Sequence, residues 1–175
     1  KNLGITRLTA VIATHPDADH IGGLDTILDA LPVDQVYAPR VNHTTETYRD
    51  FLLAVKRQGI TIKTAKAGVS IPSDEVKLNL LAPLRDGTRD LNSWSTVLQL
   101  VHGDNTFLFM GDAPIRTEQD LLESGVDLKA DVLKVGHHGA DTSSSIPFLQ
   151  AVHPSRALIS AGEGNAYGHP RPTVM

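Results

Sequence analysis

Residues with reactive side chains are concentrated in one loop, "THPDADH", which follows the apolar run "LTAVIA". The loop contains two imidazoles and two carboxylates, those of His15, Asp17, Asp19 and His20. Such a cluster beside a hydrophobic core is unfavourable unless its charges are compensated. Three explanations are open at this point: a bound metal, a catalytic acid–base pair, or a solvated turn.

The same residue types recur at the ends of three other predicted strands. Asp112 ends the run "FLFMGD", and His137 and His138 follow "ADVLKVG". His169 lies in the loop "NAYGHP", after the last predicted strand. Because side chains at strand ends are those that a sheet presents to ligands, we expect the four stretches to converge.

Divalent metal ions are the explanation that best accounts for this pattern. In an extended loop residues i and i+2 point the same way, so His15 and Asp17 could hold one cation while Asp19 and His20 turn towards a second. Asp112 could bridge the two. Neutral imidazoles and carboxylates are suitable ligands, and a two-metal site activates water near neutral pH.

Rival motifs do not fit the sequence. An EF-hand loop starting at Asp17 would need acidic or amide residues where Ile21 and Leu28 stand. The patterns H-E-x-x-H and G-x-S-x-G do not occur. The serines at 143–145 are better explained as the N-cap of the following helix than as nucleophiles.

The remaining histidines and the tryptophan divide into site candidates and structural residues. Neighbouring side chains diverge, so we assign His138 to the second metal and His137 to the substrate or leaving group, with the reverse assignment left open. His169 is either a substrate contact or proton donor, or an ordinary loop histidine. Trp94 could stack on a base, but a buried position in its strand is favoured. The other histidines, interpreted as surface or capping residues, are His43, His102 and His153.

Composition is that of an ordinary globular domain. The 175 residues are 41% apolar and 21% charged, and they suffice for one well-cored domain, which we place at 1–175. The absence of Cys excludes disulfides and thiolate metal sites, and the formal charge of −4 gives no overall nucleic-acid footprint. The first residue is Lys and the chain stops at "HPRPTVM", so we interpret it as a fragment clipped at both ends.

Hydrophobic periodicity predicts strands that alternate partly with helices. Apolar and β-branched runs predict strands, and residues 95–112 predict a hairpin that turns at "HGDN". The predicted strands are 7–14, 33–39, 59–63, 76–83, 130–136 and 156–162, and the predicted helices are 22–31, 44–57, 114–124 and 146–152. This order favours an α/β protein of the α+β type, with mixed sheets flanked by helices.

The motifs in combination resemble a known family. "THPDADHIGGL" is similar to the H-x-H-x-D-H motif of the metallo-β-lactamase superfamily, "FLFMGD" to its metal-bridging aspartate and "ADVLKVGHHGADTSSS" to its last histidine motif. Together with "NSWSTVLQL" and "NAYGHP", the chain looks most like the lactamase-like domain of ComEC-type competence proteins and their free-standing relatives.

The resemblance implies an αββα sandwich of two mixed sheets, here without its first strands, and a two-metal centre in the cleft between the sheets. It implies a metal-dependent hydrolase that uses a metal-bound hydroxide, with DNA or another phosphodiester as substrate. The metal ligands would be His15, Asp17, Asp19, His20, Asp112 and His138. Asp19 would also orient the nucleophile, and His137 and His169 would assist the phosphate or leaving group.

Two departures from the family pattern bear on the metal. Asp17 stands where the family has a histidine, and 92–95, "NSWS", offers no histidine for the first metal. The first site thus has one nitrogen ligand and otherwise oxygens, which favours harder ions. The expected cofactors are two divalent ions, Zn²⁺ or Mn²⁺, with Mg²⁺ as a further candidate.

Two other functions stay open. One is hydrolysis of a small ester, lactone or phosphocholine-type diester, which the low aromatic content of 5% permits. The other is a non-catalytic module of a DNA-uptake machine, with a structural metal. By resemblance alone, we expect an extracellular location or the outer face of a membrane, with a membrane portion outside this fragment.

Overall fold

Two sheets form the centre of the protein. The computed structural model describes residues 4–86 and 89–175. The smaller sheet has the order β1-β2-β3, with parallel pairs only. Its strands are β1 (Val11–Ile12), β2 (Val36–Ala38) and β3 (Ile62–Thr64). The helices that accompany it in the chain are α1 (Ala18–Ile21), α2 (Leu24–Ala30) and α3 (Glu46–Arg57).

The larger sheet combines antiparallel and parallel strands in sequential order. Pairs from β4 to β7 are antiparallel, whereas β7, β8 and β9 are parallel because helices α4 and α5 cross between them. The strands are β4 (Ser70–Ile71), β5 (Lys77–Ala82), β6 (Val97–His102), β7 (Asn105–Phe109), β8 (Val132–Lys134) and β9 (Arg156–Leu158). The helices are α4 (Ile115–Ser124) and α5 (Ile146–Val152).

Three buried clusters show how the layers pack. Tyr37 of β2 packs with Ile71 of β4 and Leu80 of β5, so the two sheets face each other. The opposite face of the smaller sheet is covered by α2 and α3, through residues such as Phe51. The opposite face of the larger sheet is covered by α4 and α5, through residues such as Phe148. The predicted α/β architecture, with two sheets between helical layers, is confirmed.

Several predicted details are wrong. We expected both sheets to be mixed, but the described strands of the smaller sheet are all parallel, since each is reached through a helical crossover. The strand predicted at 7–14 is paired as a ladder only over Val11–Ile12, and the last strand ends at Leu158 rather than 162. Strand β4 and the 3₁₀ turns Asn92–Trp94 and Gly136–Gly139 were not predicted, because each is too short for a periodic pattern.

The longer helices begin and end where the sequence indicates. The side chain of Thr45 accepts a hydrogen bond from the backbone N–H of Tyr48 and caps α3. Gly125 ends α4 in a left-handed conformation with φ of 71°. No helix among the described residues is long and apolar enough to cross a membrane.

Backbone hydrogen bonds join the strand ends around the site. The N–H of Thr96, before β6, donates to the carbonyl of Thr14 in the loop after β1 at 2.9 Å and so joins the two sheets. The N–H of His137 donates to the carbonyl of Gly111 at 3.1 Å and joins the ends of β7 and β8 within the larger sheet. A Cβ atom at Gly111, whose φ is 56°, would lie 3.1 Å from the Cβ of Ser95. A glycine is therefore needed for β7 to end this close to the segment that enters β6.

Helix α5 depends on a carboxylate from α4. Glu118 is 1% exposed, and its carboxylate accepts hydrogen bonds from the backbone N–H groups of Ser144 and Ser145, the latter at 2.8 Å. Ser145 is the N-cap residue but forms no capping bond through its own side chain. The serine cap that we predicted for α5 is thus replaced by Glu118, which holds the start of the helix.

Replacement of Glu118 by Gln should lower the free energy of unfolding by about 1–3 kcal/mol, because a buried backbone N–H would lose its charged acceptor. Burial raises the pKa of Glu118 above 4.5 although Ser144 and Ser145 oppose this shift. The folded wild type therefore retains the proton to higher pH than the unfolded chain, and its stability should fall as pH rises from 4.5 through the raised pKa.

Urea unfolding of wild type and Glu118→Gln across this pH range checks both statements. The free energy of unfolding of the variant should fall less with rising pH, because a glutamine at this position has no proton to lose. Glu123→Gln, on the exposed side of the same helix, is the matched control and should change stability by less than about 0.5 kcal/mol. Equal stability of Glu118→Gln and wild type would contradict the capping role.

Candidate metal centre

The carboxylate of Asp112 lies at the centre of a group of histidines. Asp112 follows β7 and is 4% exposed. Its Oδ1 is 3.1 Å from Nε2 of His20, and its Oδ2 is 3.4 Å from Nε2 of His138. The Nε2 atoms of His15 and His137 are each 3.9 Å from Oδ2. One buried carboxylate is therefore within 4 Å of four imidazoles that come from two distant loops.

One group of possible ligand atoms consists of Asp19, His20 and His138, which lie within 4.8 Å of one another. The Nε2 atoms of His20 and His138 are 3.2 Å apart, and Oδ2 of Asp19 is 3.3 Å from Nε2 of His138. The Nδ1 of His138 is 2.7 Å from the carbonyl oxygen of Ser160. A carbonyl can only accept, so Nδ1 carries the proton, and in the neutral ring Nε2 presents a lone pair to the cluster.

The other group of ligand atoms includes His15, His20 and Asp112, again within 4.8 Å. Asp17 joins this side of the centre, with its Oδ2 at 3.4 Å from Nε2 of His15. The Nδ1 of His15 faces the hydroxyls of Thr14 at 3.2 Å and Ser95 at 3.4 Å. These contacts hold the other ring nitrogen of His15 towards Asp17 and Asp112.

The acidic loop is only partly extended, whereas the sequence led us to expect an extended loop. Asp17 has extended backbone angles and is the N-cap of α1, so the stretch from His15 to Asp17 keeps the expected form. Asp19 and His20 lie inside the short helix α1. The change from extended to helical backbone brings these two side chains to His138, while His20 also stays close to His15 and Asp112.

Buried atoms without partners show that a cation fits this centre. Among the described residues four buried side-chain atoms have no hydrogen-bond partner, and Nε2 of His15 and Oδ1 of Asp112 are two of them. Nε2 of His20 is 3.1 Å from the second of these atoms without forming a hydrogen bond to it. Unsatisfied buried nitrogen and oxygen atoms are costly, and a divalent ion held by His15 and Asp112 would satisfy both.

The electrostatics of the centre favour the protonation states that a cation needs. Burial and the neighbouring His20 lower the pKa of His15, so this ring is neutral at neutral pH. Burial would raise the pKa of Asp112, but its interactions with His20, His138 and His15 outweigh this effect and lower it. Neutral imidazole and ionised carboxylate are the forms that bind metal.

His137 lies beside the centre rather than in it. Both His137 and His138 are in the left-handed region, with φ of 48° and 55°, and their rings diverge with centroids 6.3 Å apart. The Nδ1 of His137 is 2.9 Å from the hydroxyl of Thr142, and its Nε2 is 3.4 Å from Nδ2 of Asn92. The structure thus brings His138, and not His137, together with Asp19.

The other residues singled out in the sequence are placed as follows. The ring of His169 is 5.7 Å from that of His137, so His169 lies at the rim of the centre. Trp94 is 6% exposed, as its interpretation as a buried residue predicted. The three remaining histidines belong to neither ligand group and lie before α3, at the end of β6 and after α5; they are His43, His102 and His153.

Three residues that hold the centre in place were not identified from the sequence. Ser95 accepts a hydrogen bond from the N–H of Asp112 at 3.0 Å and contacts His15, and Thr14 contacts both His15 and His20. The carbonyl of Ser160 sets the tautomer of His138. The position of Ser95 in "NSWS", where the family pattern offers a ligand, was the one signal available.

Comparison with known proteins agrees with this architecture. Residues 1–163 match the model of the metallo-β-lactamase superfamily. Over 172 residues the chain is 33% identical to ComE operon protein 3 of Bacillus subtilis, and over 173 residues it is 33% identical to competence protein ComA of Neisseria gonorrhoeae. Each alignment covers 98% of this chain but only 22% and 23% of the respective relative, so the chain spans about a fifth of their length.

A solved structure shows the same fold. CmlA, a diiron β-hydroxylase from Streptomyces venezuelae, superposes with a TM-score of 0.59 over 87% of this chain and 35% of its own, at 15% identity. At that identity the likeness concerns the fold alone. The resemblance to ComEC-type competence proteins is confirmed by the curated relatives, and the chain belongs to the metallo-β-lactamase superfamily.

Proposed function

We propose that the protein is a metal-dependent phosphodiesterase that cleaves DNA. The observation that carries this proposal is the position of the Asp112 carboxylate between the two groups of ligand atoms. Its Oδ2 is 3.9 Å from Nε2 of His15 and 3.4 Å from Nε2 of His138, and its Oδ1 is 3.1 Å from Nε2 of His20. A carboxylate in this position suits a bridge between two cations. Two-metal centres of this kind are typical of enzymes that transfer or hydrolyse phosphoryl groups.

The ligands divide into an inner and an outer site. His15, Asp17 and Asp112 would hold the inner ion, and Asp112 would share the outer one with a second set, Asp19, His20 and His138. The oxygen-rich inner set suits Mn²⁺ or Mg²⁺ as well as Zn²⁺. When bound, the ions would lower the pKa of water and withdraw charge from the phosphodiester.

Residues around the ligands would bind and orient the substrate. The ring of His137, held by Thr142 and close to Asn92, offers a hydrogen bond to a phosphate or leaving-group oxygen. Burial and the nearby His137 lower the pKa of His169, so His169 is neutral at neutral pH and suits a substrate contact better than a proton donor. Asp19, the most exposed of the carboxylates, would orient the nucleophile.

The assignment to DNA rests on the relatives. One is named a competence protein, which agrees with a role in DNA uptake, although this chain spans about a fifth of its length. A location outside the cell or at the outer face of a membrane follows from the same resemblance and is part of the proposal. DNA is therefore the first phosphodiester to test.

Metal binding should depend on Asp112 at both sites and on His138 at one. We expect the wild type to bind two Mn²⁺ or Zn²⁺ ions, His138→Ala to retain one, and Asp112→Asn to bind both at least about 100-fold more weakly. His137→Ala should retain two ions, because His137 lies outside both ligand groups. Isothermal titration and elemental analysis of metal-stripped, refilled protein would measure this.

The matched control is His102→Ala, which removes an exposed histidine at the end of β6 and should leave both ions bound. Circular dichroism of each variant would show that it is folded. Loss of an ion in His137→Ala but not in His138→Ala would reverse the assignment of the two histidines. Two ions retained in Asp112→Asn would contradict the bridging role.

Cleavage of end-labelled single-stranded DNA should require metal, Asp19 and Asp112. We expect metal-loaded wild type to cleave the DNA and the Asp19→Asn and Asp112→Asn variants to lose roughly 10²- to 10⁴-fold in rate, because each removes a positioned carboxylate from the reacting centre. His137→Ala, with its metal retained, should also be slower. His102→Ala is again the control and should cleave at the wild-type rate.

The substrates compared should include double-stranded DNA and a small chromogenic phosphodiester. Turnover of the small diester without cleavage of DNA would contradict the assignment to DNA and favour hydrolysis of a small molecule. Full metal occupancy with no turnover of any diester would contradict the enzyme proposal and favour a non-catalytic module.

A further inference from the structure

Tyr167 is an exposed aromatic residue in the loop that follows β9. The chain has eight aromatic residues, and all of them lie in the described ranges. Tyr167 is 74% exposed and is the only one of the eight that is classed as exposed. Exposed aromatic rings at the rim of a site are typical of surfaces that bind ligands with flat apolar faces.

Tyr167 lines a cavity of about 270 Å³ that is continuous with the metal centre. Asp19 and His138 form the side of the cavity that belongs to the centre. Tyr167, His169 and Asn165 are among the residues that form the other side. A group bound against Tyr167 would therefore be attached to, or lie next to, the bond that reacts.

The loop that carries Tyr167 is held in a defined shape by Asn165. The side-chain amide of Asn165 donates to the carbonyls of Gly162 at 2.8 Å and His169 at 2.6 Å, and its Oδ1 accepts from the N–H of His169 at 3.0 Å. These bonds close the loop across the position of Tyr167. The aromatic ring is thus presented by an ordered loop, which reduces the entropy lost when a ligand binds.

The same loop is attached to the turn that carries His137 and His138. The N–H of Arg171 donates to the carbonyl of Gly139 at 2.8 Å. A Cβ atom at Gly139, whose φ is 80°, would lie only 2.7 Å from the Cβ of Pro170. Because of this close contact, the distance between Tyr167 and the metal centre is set by the fold.

The ring of Tyr167 is stacked on the ring of His169. The two rings are nearly parallel, at an interplanar angle of 15°, with centroids 5.8 Å apart, so His169 supports the exposed ring of Tyr167. Bases of a single strand stack on exposed aromatic rings, since every base has a π-face. Base pairs in a duplex are already stacked on their neighbours and do not offer this face.

We propose that Tyr167, supported by His169, binds the nucleobase next to the phosphodiester that is cleaved, and so selects single-stranded DNA or unpaired ends. The inference rests on the proposed function and specifies its substrate class. Asp19 and His138 border the same cavity, so the base and the reacting phosphate would be neighbours along one strand. Trp94, for which the sequence favoured a buried position over base stacking, is buried.

The test compares Tyr167→Ala with Tyr167→Phe, which keeps the ring. Binding of metal-loaded protein to a single strand labelled with 2-aminopurine is measured by rapid mixing, before cleavage proceeds. Tyr167→Ala should raise Kd and KM about tenfold, whereas Tyr167→Phe should stay within about twofold of wild type. Metal content should be unchanged in both variants, because Tyr167 belongs to neither ligand group.

A series of strands, each with one abasic position, locates the stacked base. The strand that lacks the stacked base should bind wild type about tenfold more weakly than the intact strand. On that strand, Tyr167→Ala should cause no further loss of affinity. Wild-type affinity of Tyr167→Ala, or an equal loss on every abasic strand, would overturn the inference.

The two proposals fail in different ways. If wild type cleaves DNA and Tyr167→Ala is unaffected, the nuclease function stands and the base-binding role is wrong. If wild type binds a single strand through Tyr167 but cleaves no DNA, base binding stands and the nuclease function is wrong. If wild type cleaves double-stranded DNA but neither binds nor cleaves single strands, the nuclease function stands and the base-binding role is wrong. If wild type neither binds nor cleaves any DNA, both are wrong.

Discussion

The structure depends on one buried carboxylate surrounded by imidazoles. Asp112 lies within 4 Å of four histidine nitrogens, yet its Oδ1 and the Nε2 of His15 have no hydrogen-bond partner. Burial of such groups without compensation would destabilise the fold by several kcal/mol. Burial lowers the pKa of His15. Burial would raise the pKa of Asp112, but the neighbouring imidazoles outweigh this effect and lower it, so the two groups have the protonation states that bind a cation. The hydrophobic packing of the two sheets offsets the unfavourable free energy of burying these polar groups.

That packing explains why residues so far apart in the chain can meet. The smaller sheet brings in His15 and His20 directly after β1, and the larger sheet brings in Asp112 after β7 and His138 after β8. Backbone hydrogen bonds from Thr96 to Thr14 and from His137 to Gly111 join these ends before any side chain is considered. The small side chain of Ser95 and the absence of one at Gly111 allow the approach. The site is thus a consequence of strand order and of two close contacts.

The sequence predicted the strands and the loops that meet at the centre better than it predicted the contacts among their side chains. Strand ends and reactive residues could be read from local pattern, so the loops that converge were identified correctly. Long-range contacts, such as those of Ser95 with His15 and of the Ser160 carbonyl with His138, leave no local pattern. The short helix α1 has only four residues, too few for periodicity to show. The separation of His137 from His138 follows from two consecutive left-handed residues, and a non-glycine sequence does not predict that conformation. The roles assigned to these residues in metal binding and catalysis remain predictions.

The centre is asymmetric, and this asymmetry determines the direction from which a substrate can approach. The side chain of His15 is fully buried, whereas that of Asp19 is 64% exposed. Between these extremes, His138 borders the cavity that Tyr167 lines. Because His15 and Asp112 are buried, the substrate proposed above would approach from the exposed side, over Asp19 and His138. A base attached to its phosphate would then meet the ordered loop of Asn165 and Tyr167. On this proposal the buried ligands set the chemistry of the centre, and the exposed side sets which phosphodiesters reach it.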